Sequence, residues 1–187
     1  MKTLVFNGST RRGGDTDALL DAFLSELGGE VRIVGDRDNI APCSDCRRCV
    51  MMDGCGIHDD MDEVYRYLDT CDVVVIASPV WFCSLSGVLL NIASRLQTRY
   101  MKKMRGESVG AEKSGLILLA GARAGSEAAA ERSAKLILRY AGVKAPLVVR
   151  SMDTDHVPAG KDAAAMKAAR IAARLIKEAY DENRNQR

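Results

Sequence analysis

Hydrophobic residues along this chain form short unbroken runs that alternate with longer stretches in which they recur at helical spacing. The two central runs, DVVVIASPVW and SGLILLAG, are apolar almost throughout, which is typical of parallel strands buried on both faces. The runs that predict strands are KTLVFNGS, EVRIVG, DVVVIASPVW, SGLILLAG and APLVVR. The stretches that predict helices are DTDALLDAFLSEL, DDMDEVYRYLDTC, LSGVLLNIASRL, SEAAAERSAKLILRYAG and KDAAAMKAARIAARLIKEAY.

This alternation predicts an α/β fold in which helices join parallel strands through right-handed crossovers. We expect a doubly wound open sheet of five strands in the order 2-1-3-4-5, since about five strands are too few for the six-stranded dinucleotide arrangement. One domain over residues 1–182 is expected, followed by a polar tail over residues 183–187. A ligand should bind at the carboxyl ends of the first and third strands, where the strand order reverses.

Composition narrows the class of protein. The chain is 47% hydrophobic and 28% charged with a net charge of +2, which is typical of a soluble globular protein and gives no reason to expect nucleic acid or a membrane as partner. The first residues lack an export signal, and no run is long enough to span a membrane. We therefore expect a cytoplasmic protein, in whose reducing surroundings clustered cysteines bind metal or take part in redox chemistry.

The segment NGSTRRGGDT, residues 7–16, joins the first strand to the first helix, for which Asp15 is the predicted N-cap. Hydroxyls, arginines and glycines at a helix N-terminus make an anion site. Gly14 stands where a P-loop has lysine, and no dinucleotide glycine pattern is present, so a mononucleotide phosphate is the favoured ligand. The alternative is a capped helix behind a polar loop. The candidate phosphate ligands are Ser9, Thr10, Arg11, Asp15 and Thr16.

An aromatic segment, SPVWFCSLSG, follows the third strand over residues 78–87. Pro79 stiffens it, Trp81 and Phe82 offer flat apolar faces, and Ser84 adds a hydroxyl. Neighbouring residues on a strand face opposite sides, so at least one of the two aromatic side chains should face outward rather than into the core. The loop after the fourth strand, AGARAGSE with Gly121, would close a third side. A phosphate site beside an aromatic loop favours flavin mononucleotide (FMN).

Three motifs carry a resemblance to a known family: GSTRRGGDT, PCSDCRRC…GC…DDM and ASPVWFCSLSG. In order and separation they resemble the NADPH-dependent FMN reductase group of flavodoxin-like proteins, over roughly residues 1–125. The resemblance implies a flavodoxin-like fold, an FMN-dependent oxidoreductase with NAD(P)H as a candidate donor, and a homodimer or homotetramer. It implies that Ser9, Arg11, Asp15 and Thr16 contact the FMN phosphate, and that the flavin ring is lined by Pro79, Val80, Trp81 and Phe82.

The chain departs from the motifs of that group at three positions. Asp15 stands in place of the usual asparagine, Trp81 in place of tyrosine, and Leu90 where lysine is frequent. Asp15 places a carboxylate near a phosphate dianion, which should weaken FMN binding, although Arg11 and Arg12 offset its charge.

Four of the six cysteines lie in the segment APCSDCRRCVMMDGCGIHDDM, residues 41–61, with the spacing C-x2-C-x2-C-x5-C. They are Cys43, Cys46, Cys49 and Cys55. A structural zinc site prefers two separated cysteine pairs. Thiol–disulfide exchange is favoured by Arg47 and Arg48, which would lower a thiolate pKa, but it leaves two cysteines without a role. A [4Fe–4S] cluster takes four thiolates, and an unoccupied cysteine loop is the remaining alternative.

The cysteine spacing also resembles that of the iron-sulfur flavoproteins, a branch of the same group. This resemblance implies a [4Fe–4S] cluster on the four cysteines, with electrons entering from ferredoxin or a reduced nicotinamide and leaving through FMN to a small acceptor such as a quinone. The alternatives are a cluster-free NAD(P)H-dependent FMN or quinone reductase and a non-enzymatic electron carrier.

Two further features are predicted to be structural. The basic segment over residues 95–108 should be a solvated face, with attraction of NADPH phosphates or of an acidic redox partner as the alternative. Cys71 and Cys83 should be packing residues.

Overall fold

A computed structural model describes residues 1–185, which form a parallel sheet covered by helices on both faces. The parallel strands pair in the order β2-β1-β3-β5-β6, which confirms the predicted 2-1-3-4-5 order. A two-residue strand, β4, folds back antiparallel onto β3 and is an element that the sequence pattern did not predict. The strands are β1 (Lys2–Asn7), β2 (Glu30–Val34), β3 (Val73–Trp81), β4 (Ser84–Leu85), β5 (Ser114–Gly121) and β6 (Leu147–Met152).

The helices divide between the two faces of the sheet. One core joins α1 and α7 to the side of β3 that carries Val73 and Val75, and the other joins α3, α4 and α6 to the side with Val74 and Ile76. Burial on both faces explains why the β3 run is continuously apolar. The helices are α1 (Asp15–Leu27), α2 (Arg48–Met51), α3 (Met61–Thr70), α4 (Gly87–Ser94), α5 (Gln97–Met104), α6 (Ala128–Tyr140) and α7 (Ala163–Asn185), with a 3₁₀ turn over Ala159–Lys161.

Some element boundaries differ from the predicted ones. Gly14, not Asp15, occupies the N-cap of α1, and the carboxylate of Asp15 accepts a hydrogen bond from Ala159 N at 2.7 Å instead. The last helix continues to Asn185, past the predicted end at Tyr180. The predicted tail over residues 183–187 is therefore helical as far as it is described, and its last two residues lie outside the described part of the chain. Within residues 1–185, no helix has the length and apolar character needed to cross a membrane.

The strand order brings the loops of interest to one edge of the sheet. β1 and β3 are adjacent and parallel, with Asn7 opposite Ala77, so their carboxyl ends lie side by side. β2 flanks β1 and β5 flanks β3 in the same direction. The phosphate loop, the cysteine loop, the aromatic hairpin and the loop after β5 consequently leave the sheet at the same edge, where open α/β sheets bind ligands.

Candidate functional site

The phosphate loop, residues 8–14, is held in shape by its own side chains. Asn7 Oδ1 accepts from Ser9 N at 2.9 Å, and Ser9 Oγ donates to Arg11 O at 2.9 Å. The carboxylate of Asp17 accepts from Gly13 N at 2.9 Å and from Asn7 Nδ2 at 3.2 Å. The loop is therefore preformed at the N-terminus of α1, and Asp17, which no motif singled out, is one of its supports.

The structure places the five predicted phosphate ligands on this one loop, but in different surroundings. Ser9 and Thr16 are buried, whereas Thr10 and Arg11 are exposed. The stem of Arg11 lies over Gly14, where an added Cβ would stand 3.4 Å from Arg11 Cδ. Asp15 ties α1 to the 3₁₀ turn, so its carboxylate has a structural partner. Two exposed side chains and the free N–H groups of α1 remain for an anion.

The aromatic segment forms a hairpin between β3 and β4. Trp81 is about half exposed and Phe82 is fully exposed, so both aromatic side chains face solvent. Phe82 and Cys83 both have positive φ, at 50° and 60°, as the two central residues of a primed β-turn require. A non-glycine residue in this region costs roughly 1–2 kcal/mol. Cys83 is exposed at the turn, so its predicted packing role is wrong.

The phosphate loop and the hairpin interlock at Gly8. Gly8 N donates to Ala77 O at 2.7 Å, and a Cβ at Gly8 would lie 2.4 Å from Ser86 Oγ and 3.1 Å from Ser78 Oγ. Ser86 Oγ is the N-cap of α4 and accepts from Leu89 N at 3.3 Å. Only glycine fits this contact. Gly8 is thus a site residue that close approach of two loops demands, and sequence spacing alone does not show it.

Other predicted ring-lining residues lie at the ends of β3, β4 and β5. Val80 is buried, whereas Pro79 and Ser84 are partly exposed. Gly121 is buried at the end of β5, where a Cβ would stand 2.6 Å from Met152 Cε and 3.2 Å from Val80 Cβ. The small size of Gly121 therefore lets β5 and β6 pack beneath the hairpin.

The four cysteines of the loop line one small cavity of about 40 Å³. Cys43 and Cys46 are exposed, Cys49 and Cys55 are partly buried, and all are free thiols. As the side chains lie, no group of three or more His, Cys, Asp or Glu residues within the described part of the chain could hold a metal ion.

The backbone of the loop brings the four thiols close together, and a hydrogen bond reaches one of the sulfurs. Asp45 and Arg47, on either side of Cys46, have positive φ values of 50° and 59°. Ile57 N donates to Cys55 Sγ at 3.4 Å, a bond of the kind that tunes metal-bound sulfur. Burial and then the neighbouring thiol of Cys43 raise the pKa of Cys49. The thiols are thus close enough to oppose one another's ionisation.

Helix α4, helix α5 and the residue that follows α5 support the cysteine loop. Ser94 Oγ, at the end of α4, accepts from Cys43 N at 3.0 Å. On α5, Lys102 Nζ lies 2.9 Å from Asp53, and this hydrogen bond first of all holds the pKa of Asp53 below its usual range. Arg105, which follows α5, donates to Cys49 O. The prediction that residues 95–108 form a solvated face is therefore wrong for these side chains.

Arg95, the first residue after α4, also lines the cysteine cavity. It is 1% exposed, so it is buried although its place in a basic run predicted exposure. Burial opposes its charge, but a hydrogen bond from the guanidinium to Asp59 raises its pKa. No motif identified this residue.

A larger cavity of about 710 Å³ lies at the opposite edge of the sheet, bordered by Asp72, which precedes β3, and by Ser114, which begins β5. The amino ends of the strands meet there, away from the edge where ligands bind in this class of sheet. Its size alone does not make it a functional site.

The strand order and the helices on both faces of the sheet define a flavodoxin-like fold. The family model of the NADPH-dependent FMN reductases matches residues 1–156, and the chain belongs to that family. A solved NAD(P)H:quinone oxidoreductase from Methanothermobacter marburgensis is similar in fold, with a TM-score of 0.69 and 20% identity over 94% of this chain and 96% of that chain.

Relatives of similar sequence include iron-sulfur flavoproteins. One from Archaeoglobus fulgidus is 34% identical over 100 residues, which are 51% of this chain and 46% of that protein. One from Methanosarcina thermophila is 32% identical over 99 residues, 51% of this chain and 52% of that protein. The matched part of the chain thus spans about half the length of these curated relatives. The name iron-sulfur flavoprotein describes those two proteins.

Proposed function

We propose that FMN binds at the edge of the sheet with its phosphate at the N-terminus of α1. Thr10 and Arg11 supply exposed hydroxyl and guanidinium donors there beside the buried Thr16, Ser9 shapes the loop through its bond to Arg11 O, and Asp15 ties the helix start to the 3₁₀ turn. Bound FMN supplies hydride and one-electron chemistry. The chain binds and orients the cofactor, and the hairpin excludes water from it. The residues proposed to line the ring are Pro79, Val80, Trp81, Phe82, Ser84 and Gly121.

Replacement of Arg11 tests the phosphate site. Arg11→Ala should weaken FMN binding at least tenfold, because it removes the exposed guanidinium of the loop. Arg12→Ala is the matched control, since Arg12 is held at 2.7 Å by Asp36. Fluorescence titration of cofactor-free protein with FMN measures both. Equal affinities of the two variants would contradict the assignment.

We further propose that the four loop cysteines hold a [4Fe–4S] cluster. The observation that carries this proposal is that all four thiols line one cavity at the same sheet edge as the phosphate loop and the hairpin. The donor set fits, since such a cluster takes four thiolates. The neighbouring arginines and the N–H of Ile57 suit a negatively charged group. The iron-sulfur flavoprotein relatives support the proposal through their names.

Cysteine replacement tests the ligand set. Cys46→Ala should abolish iron and sulfide binding after anaerobic reconstitution. Cys83→Ala is the matched control, because Cys83 is also exposed but lies in the hairpin. Iron retained by the Cys46 variant at the wild-type level would rule out this loop as the ligand set.

Helix α4 connects the proposed FMN site to the proposed cluster site. It begins beside the hairpin, with Ser86 as its N-cap, and ends at Ser94, which bonds the cysteine loop. Eight residues of helix span about 12 Å.

We propose that this protein carries electrons from NAD(P)H or ferredoxin through the cluster and FMN to a small acceptor such as a quinone, as a homodimer or homotetramer.

A cluster-free NAD(P)H-dependent FMN or quinone reductase is the second candidate. It is favoured by the finding that no three potential ligands in residues 1–185 are grouped as a metal site. The rate of steady-state NADPH oxidation with a quinone, measured for FMN-loaded protein with and without iron, separates this candidate from the cluster-containing one. Full turnover without iron supports the second candidate, whereas iron-dependent turnover supports the first. No turnover with either form would point to an electron carrier.

A further inference from the structure

The wall of the cysteine cavity contains one fully buried cation, the guanidinium of Arg95, whose side chain has 0% exposure. A buried guanidinium is stable only when oxygen partners replace the water that it has lost. The partners of Arg95 therefore indicate what the burial of this charge achieves.

Those partners lie at both ends of the cysteine loop. Arg95 Nη1 donates to Ala41 O at 2.9 Å and to Asp59 Oδ2 at 2.6 Å, and Nη2 donates to Ile57 O at 2.9 Å. Ala41 precedes Cys43, and Ile57 follows Cys55, each by two residues. One guanidinium thus closes the loop that carries all four thiols.

Asp59 completes this clamp. Its Oδ2 accepts from Ala41 N at 3.0 Å, and its Oδ1 accepts from Met61 N at 3.0 Å. The carboxylate, 7% exposed, joins the beginning of the loop to the start of α3 while it pairs with Arg95. Two long-range groups therefore fix a loop whose own short helix, α2, has no buried residue.

One of the three guanidinium nitrogens of Arg95 has no hydrogen-bond partner among the described residues. Its Nε is buried and makes no hydrogen bond within the described residues. An unpaired buried donor is costly, and such groups frequently serve a ligand. The residue lines the cavity, so an anionic group held by the thiols is the candidate partner of this Nε–H.

We propose that Arg95 is the positioning residue of the cysteine site. Its Nη groups hold the loop so that four thiols share one cavity, and its Nε–H donates to the anionic group bound there. The second half rests on the proposed [4Fe–4S] cluster, whereas the clamp does not. Hydrogen bonds to the sulfurs of a cluster change its reduction potential, so this role has a readout that simple loop support lacks.

Arg95→Lys tests the proposal, with Arg99→Lys as the matched control. Arg99 is also buried, but it bonds Asp69 at 2.6 Å and Tyr65 O at 3.1 Å, both on α3. In iron-free protein we expect amide hydrogen exchange over residues 41–60 to be at least tenfold faster in the Arg95 variant alone. After anaerobic reconstitution, the Arg95 variant should hold at most half the wild-type iron and sulfide, at a lower midpoint potential.

Each outcome decides the proposal. If amide hydrogen exchange over residues 41–60 is no faster in the Arg95 variant than in the Arg99 control, the proposed clamp is overturned. Faster exchange with unchanged iron content and potential reduces Arg95 to loop support and overturns the positioning role. Wild-type protein that takes up no iron refutes the cluster, and exchange alone then decides the clamp. If Arg95→Lys fails to bind FMN, Asp59→Asn replaces it as the test of the clamp, with faster exchange and lower iron content expected and, because the Nε–H donor is kept, a smaller change in potential.

Discussion

Replacement of Gly8 by alanine perturbs the contact between the phosphate loop and the hairpin. The new Cβ would stand 2.4 Å from Ser86 Oγ and 3.1 Å from both Ser78 Oγ and Leu89 Cβ. Ser86 cannot turn aside freely, because its Oγ caps α4 through Leu89 N. Overpacking costs about 1–3 kcal/mol, and loss of a cap costs about 1 kcal/mol.

We therefore expect Gly8→Ala to lower the free energy of unfolding by about 2–4 kcal/mol. For a chain of this size that corresponds to a fall in Tm of roughly 4–16 °C. FMN affinity should fall at least tenfold, since the loop that is to hold the phosphate must move. Urea unfolding of cofactor-free protein and titration with FMN measure the two effects.

Two further variants make the explanation specific. In a Ser86→Ala background the 2.4 Å contact is removed, so the cost of Gly8→Ala should shrink by more than about 1 kcal/mol. Gly87→Ala is the control, because no atom lies within 4 Å of its added Cβ, and its effect should be within about 1 kcal/mol of zero. A cost for Gly8→Ala below about 0.5 kcal/mol, or an equal cost in both backgrounds, would refute the steric argument.

Three other predictions follow from the structure. Asp15→Asn should tighten FMN binding by removing a carboxylate near the phosphate, with Ala159 N still bonded; unchanged or weaker affinity by fluorescence titration would count against the proposed phosphate position. Burial raises the pKa of Cys71 to about 11. Iodoacetamide at pH 8 should therefore label the exposed Cys43 and Cys83 but leave Cys71 unlabelled until urea is added, which mass spectrometry would show. Rapid labelling of Cys71 in the native protein would disprove this. Burial opposes ionisation of Asp59, yet bonds from Arg95, Ala41 N and Met61 N hold its pKa below the usual value. The stabilisation that the Asp59 carboxylate contributes is therefore full above about pH 4 and is lost as the pH falls through the lowered pKa. Urea unfolding between pH 3 and 6 should show that stability falls more steeply toward acid in wild type than in Asp59→Asn. Parallel curves for the two proteins would argue against this role of Asp59.

The sheet was predictable from the sequence because strands that are buried on both faces are apolar almost throughout. β3 and β5 are apolar runs, their alternation with helical periods indicates parallel strands, and the number of strands favours the observed order. The hairpin was not predictable, since its primed turn uses Phe82 and Cys83 at positive φ instead of the glycine or asparagine that marks such turns.

The loops of the candidate site were predictable from motif and position, but their supports were not. Arg95 belongs to a basic run, and its burial is explained by two carbonyls and one carboxylate that lie 54, 38 and 36 residues away in the chain. Asp15 is likewise drawn from the cap of α1 by Ala159, 144 residues later in the chain. Such long-range polar contacts have no local signature, because any helix residue of that type would look the same in sequence.

Anaerobic purification followed by FMN, iron and sulfide analysis on the same sample tests most directly whether this protein joins a flavin to a cluster. We expect about one FMN with about four iron and four sulfide per chain, since a [4Fe–4S] cluster has that composition. We also expect a broad visible absorbance that dithionite bleaches. Protein that holds FMN but takes up no iron or sulfide, even after reconstitution, would contradict the proposed second redox centre.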